Sequence, residues 1–187
     1  MFAFHAAIAH IQAHVLRRFV AFVWVFVALV LAGCSRYDAT PQCSAAIEEG
    51  FTGYFKVSDT GLAVDQVTGR TWYRCNAGQR FQNGQCVGQA LHLTQADAMA
   101  YALEFSKASG RKWRLPTQSE MGTITLSECV NPAVNPNVFP NMLVSNYWSS
   151  EGSNSNSRMG CATYTYSGNQ FCRELKDSQL PFLLVVN

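Results

Sequence analysis

Apolar positions along this chain fall into three regimes. Phe19 to Ala32 is an unbroken apolar run of fourteen residues. Ser35 to Gly50 mixes Thr-Pro, Ser and charges without any period, which predicts an irregular tether. From Phe51 onward the pattern is that of a globular domain. Leu62–Val64 and Arg70–Arg74 flank a Thr68-Gly69 turn and predict a β-hairpin. Residues 95–109, with Thr94 as cap, Asp97 three residues on and Gly110 behind, predict a helix. Met99 and Leu103 share one face of it with Ala96 and Ala100, the face expected to pack on a sheet. A second helix begins at Thr117 after Pro116, with Glu120 at capping-box spacing and Met121, Ile124 and Leu126 as its apolar surface. Residues 131–146 are rich in Asn and Pro, which excludes long regular elements there. Four strands are expected after that: Tyr147–Ser150, Cys161–Tyr166, Gln170–Leu175 and Leu180–Val186, with Gly168-Asn169 as a tight turn between the middle pair.

The first apolar run follows Arg17 and Arg18 and closes on Leu31-Ala32-Gly33-Cys34. Positive charge, greasy core and small residues in that order make a secretory signal, and fourteen residues fall short of the about 20 that a spanning helix needs. The close of the run resembles the lipobox of bacterial lipoproteins. That resemblance implies thioether lipidation of Cys34, cleavage before it, and stable attachment through several acyl chains. Ser35 rather than Asp after the cysteine points to the outer membrane. The expected organisation is a signal over 1–33, a lipidated N-terminus and tether over 34–50, and a domain over 51–187.

Export changes the reading of charge and cysteine. Removing 33 of 187 residues leaves 154, enough for one domain with a real core. Of 14 basic residues Arg17 and Arg18 leave, so 12 face 12 acids, without the basic field of a nucleic-acid binder. With Cys34 lipidated, Cys43, Cys75, Cys86, Cys129, Cys161 and Cys172 form an even set, which predicts disulfides. Six cysteines allow fifteen pairings. Only Cys75 with Cys86 is favoured, because they bracket a short loop with an Asn83-Gly84 hairpin step. Cys43 suggests that the tether is stitched to the domain. Zinc is not expected, since no Cys-x₂-Cys pair occurs and the chain beyond Cys34 has His92 as its single histidine.

Four motifs then occur in order: Val64-Asp65-Gln66-Val67-Thr68-Gly69-Arg70-Thr71-Trp72-Tyr73-Arg74-Cys75; Trp113-Arg114-Leu115-Pro116-Thr117 with Glu120; Asn131-Pro132-Ala133-Val134-Asn135 with Phe139-Pro140-Asn141; and Tyr147-Trp148-Ser149-Ser150. In this the chain resembles the Lcl C-terminal domain family, named for the C-terminal domain of a bacterial collagen-like adhesin, from about residue 60 to its end. The resemblance implies an α+β, C-type-lectin-like domain with two helices on a twisted, mostly antiparallel sheet. It also implies a surface role, because the founding adhesin binds sulfated glycosaminoglycans. This chain lacks the collagen-like repeat, and its end, Phe182-Leu183-Leu184-Val185-Val186-Asn187, lacks the basic residues many members carry.

Most of these motif residues have a structural reading. Trp72, Trp113 and Trp148 are expected in the core, Arg114 against a buried carboxylate or carbonyls, and Ser149 and Ser150 on local backbone groups. Catalysis is not expected: one histidine, no nucleophile elbow, no phosphate loop and no carboxylate pair singled out by spacing leave it without machinery. No cofactor is implied. Glu151, Asn154 and Asn156 share a loop, yet without the Pro-flanked carboxylate–amide pairs of calcium lectins. The dense cationic stretch Arg111-Lys112-Trp113-Arg114 is the candidate ligand site. It would set cations beside an aromatic ring for a sulfated or acidic glycan, although helix-dipole complementarity also accounts for cations there. The expected function is a lipid-anchored, non-catalytic recognition protein of the cell envelope binding a glycan or an envelope protein; the alternative is a structural or assembly component with no ligand.

Overall fold

The computed structural model describes residues 39–186. The leader, Cys34 and the first residues of the tether lie outside the described residues. The described chain is α+β, with antiparallel pairing between all its named strands.

The Thr68-Gly69 hairpin forms as expected. β2 (Leu62–Asp65) pairs with β3 (Thr71–Tyr73) in the register Ala63↔Trp72. Asp65 closes the turn: its carboxylate accepts the Val67 and Thr68 amides at 2.9 and 3.2 Å and the Thr68 hydroxyl at 2.7 Å. Gly69 completes it at φ 75°. β1 (Phe55–Val57), too short to show a period, adds to β2 on the outside. A second hairpin, β4 (Arg80–Gln82) and β5 (Gln85–Val87), turns at Asn83 and Gly84, both at positive φ.

Both helices are capped as the sequence predicts. The Thr94 hydroxyl accepts from the Asp97 amide at the start of α2 (Gln95–Ser109), and Gly110 ends it in the left-handed region. Thr117 and Glu120 form a reciprocal capping box on α3 (Gln118–Ile124). The buried face of α2 differs from expectation. Ala98 and Ala102 are buried, with Tyr101 and Phe105 packed on the same core, whereas Met99 and Leu103 face outward with Ala96 and Ala100. The aromatics decide the rotation, since Tyr101 meets Phe182 and Phe105 meets Trp113 edge-on.

Instead of one sheet the chain builds three. β1-β2-β3 is joined by β9 (Val185–Val186); β4-β5 stands alone; and β6 (Asn146–Gly152), β7 (Met159–Tyr164) and β8 (Asn169–Leu175) form the third. Pro181 interrupts the last expected strand: Leu180 pairs singly with Leu93, and the final two residues pair as β9. The segment before β9 still links the sheets: Trp148 donates to the Pro181 carbonyl, and Ala77 and Tyr73 donate to those of Phe182 and Leu184. Its side chains alternate between two cores. Phe182 and Leu184 join Trp113, Leu115 and Trp148; Leu183 and Val185 join Trp72, Phe139 and Tyr147.

Three disulfides staple the domain. Cys75–Cys86 spans the second hairpin as expected, Cys161–Cys172 ties β7 to β8, and Cys43–Cys129 crosses 86 positions. The last anchors α1 (Cys43–Ala46), aided by the Cys43 amide on the Val130 carbonyl at 2.9 Å. The distal tether is thus part of the folded body. One expectation for the serines fails: the Ser149 hydroxyl is buried without a hydrogen-bond partner among the described residues, because β6 aims it into the interior.

Candidate functional site

Gly110 ends α2 and releases the chain into Arg111–Arg114, which the core then pins at Trp113 and Arg114. The Trp113 ring is 5 % exposed and packs on Tyr73 and Phe105. Its carbonyl accepts the Ser106 hydroxyl at 2.6 Å. Arg114 exchanges both backbone hydrogen bonds with Val185 at 3.0 Å, continuing the sheet beyond β9. Alternation along this extended stretch buries Trp113 and sends Lys112 outward.

Arg114 has the structural role expected of it. Its guanidinium grips Glu120 by two bonds of 2.7 Å, and it also donates to the Leu115 carbonyl at 3.1 Å. Arg70 adds a third contact to the same carboxylate at 2.5 Å. Glu120 has a side chain only 4 % exposed and closes its own capping box on the Thr117 amide at 2.8 Å. Chiefly because of Arg114, then Thr117 and Arg70, its carboxyl is lowered to about 2 against the opposing effect of burial. The same hydrogen bond raises the Arg114 pKa.

Arg111 and Lys112 are exposed and make no ion pair or side-chain hydrogen bond among the described residues. They line a cleft of about 590 Å³ with Arg114, Thr71 and Val186. The structure therefore brings the three candidate cations together, at the outer edge of the β3–β9 pair. It does not supply the aromatic ring expected beside them. Trp113 belongs to the core, since an indole of that size is stabilised far more by packing than by solvent contact.

The other sequence candidates do not gather around this cleft. All six described cysteines are disulfide-bonded. His92 is exposed, with Nδ1 3.2 Å from the Ala90 carbonyl. Glu151 lies on β6 and not in the loop expected to hold it with Asn154 and Asn156; it accepts the Gln118 amide, and Asn156 in the loop accepts the Arg158 amide. Among the described residues no three His, Cys, Asp or Glu side chains group as metal ligands. Sequence reasoning missed Arg70 as the second partner of Glu120, fifty positions away, and Arg74. The latter is buried, donates to the Val138, Asn137 and Ser58 carbonyls, and lies 4.4 Å from the Phe81 ring centre. No local pattern reports either contact.

Residues 61–186 match the family model described as the Lcl C-terminal domain. No curated protein matches the chain at a significant level.

Proposed function

The chain belongs to the Lcl C-terminal domain family, and from that premise we propose that it is a lipid-anchored, non-catalytic recognition protein of the bacterial cell envelope whose cationic cleft binds sulfated or acidic glycan. The observation that carries this reading is the pair Arg111 and Lys112, exposed over a concave surface while Arg114 is held by Glu120. Two exposed cations that make no ion pair among the described residues suit an anionic group presented from solvent. The helices, antiparallel sheets and disulfide staples support the C-type-lectin-like reading of the fold. Leu31-Ala32-Gly33-Cys34 supports lipid anchoring and Ser35 the outer membrane, with Cys43 fixed into the domain nine positions after Cys34.

Heparin serves as the test ligand. Each exposed cation contributes up to about 1 kcal/mol, so Arg111→Ala with Lys112→Ala is expected to weaken binding about tenfold. Raising salt to 0.5 M should weaken the unaltered protein similarly. Equal affinity in the double variant, or no binding at low salt, would remove the glycan reading. Labelled palmitate is expected to enter the full chain and to be lost in Cys34→Ala; labelling that survives the substitution would defeat the anchor.

A further inference from the structure

The outward side of α2 carries an apolar stripe beside its charged residues Asp97, Glu104 and Lys107. Met99 is 40 % and Leu103 57 % exposed, and Ala96 and Ala100 lie beside them. Scattered exposed apolar residues need no explanation, but these two border a concavity. Met99, Ala102, Leu103, Trp113, Leu115 and Ser150 line a slot of about 310 Å³, of which Arg114 forms one wall. Arg114 is also a wall of the cationic cleft. An apolar slot and a cationic cleft therefore adjoin across one side chain. The nearby Lys107 is paired with Glu104 at 2.7 Å, so the local excess of positive charge rests on Arg111 and Lys112.

We infer that the two together take an anionic amphiphile, with a sulfate- or phosphate-type head group on Arg111 and Lys112 and a single alkyl chain in the slot between α2 and Trp113–Leu115. This rests on the reading that those cations receive an anion, and adds to it what the neighbouring surface selects. Charge complementarity accounts for the head group. A polymer of sulfated sugar alone would leave the slot unfilled, whereas an alkyl chain removes Met99 and Leu103 from water at the same time. The Glu120 clamp keeps Arg114 in place, so the wall between the two compartments is preformed.

The test uses the full chain in phosphatidylcholine nanodiscs, with methyl-labelled methionine and the Met99 signal assigned through Met99→Leu. Butyl, hexyl and octyl sulfate are titrated well below their micelle concentrations. Affinity read at the Met99 methyl should rise about fourfold per methylene, the equivalent of ~0.8 kcal/mol each, or about sixteenfold from hexyl to octyl. Leu103→Gln should flatten the series while leaving heparin binding unchanged. Arg111→Ala with Lys112→Ala should bring octyl sulfate down to the affinity of octyl glucoside. An unshifted Met99 methyl, an affinity independent of chain length, or octyl glucoside binding as tightly as octyl sulfate would overturn the inference. Tighter displacement by a leucine-bearing oligoaspartate peptide than by octyl sulfate would also overturn it, in favour of a protein partner. Should heparin fail while the chain-length series holds, the glycan reading falls and the amphiphile site stands.

Discussion

Glu120 joins three things that would otherwise be separate: the first turn of α3 through Thr117, the cationic edge through Arg114, and the hairpin through Arg70. Folding favours its ionised form, because its carboxyl falls from the usual 4.5 to about 2. The stabilisation is therefore complete above about pH 4.5 and is lost as pH falls towards 2. Glu120→Gln keeps the shape but leaves two guanidiniums without their carboxylate. At pH 7 it is expected to cost about 1.5–3 kcal/mol, the range for hydrogen bonds to charged groups, because Arg70 and Arg114 each keep about a third of their side chains in water. Denaturant unfolding at pH 7, 4.5 and 2.5 should show the gap between the variant and the unaltered protein closing with acid. A constant gap across that range would mean that the loss comes from packing and not from charge.

At the scale of elements, caps and turns were legible because their chemistry is local. Thr94, Thr117 with Glu120, and Asn83-Gly84 each act within a few residues, and each stands where the sequence places it. The face of α2 was not legible. Apolar residues recur at helical spacing on both Ala96-Met99-Ala100-Leu103 and Ala98-Tyr101-Ala102-Phe105, and periodicity alone does not rank two such stripes. Tertiary partners do, since Phe182 and Trp113 await the second stripe. Ala98→Leu should therefore overpack the core and cost about 1–3 kcal/mol, while Ala100→Leu should stay within about 0.5 kcal/mol. Thermal melts of the two variants check this, and equal effects would contradict the observed rotation. Cys161 and Cys172 carried an unused signal: they are eleven apart across a hairpin, as Cys75 and Cys86 are, although its turn falls at 165–168 and not at the expected Gly168-Asn169, since Asn169 already pairs with Tyr164.

At the scale of the whole molecule, the architecture depends on contacts that join distant parts of the chain. The Phe182–Val185 stretch reads as one apolar strand, yet only the assembled fold shows its side chains dividing between two cores. Pro181 was the visible sign that no regular strand of that length would form. Cys43–Cys129 is likewise a long-range fact, linking the tether to the loop after α3. In the loop-entropy description a link across 86 positions restricts the unfolded chain by about 4.6 kcal/mol, against about 2.8 kcal/mol for one across 11. Cys43→Ser with Cys129→Ser should thus destabilise the domain more than Cys161→Ser with Cys172→Ser, by about 2 kcal/mol in urea unfolding. The ordering tests whether α1 is an integral part of the domain. If α1 were only an appendage, loss of the long-range link would cost less than loss of the short one. Integral docking also predicts that the Cys43 amide, bonded to the Val130 carbonyl, exchanges slowly with solvent while the disulfide is intact.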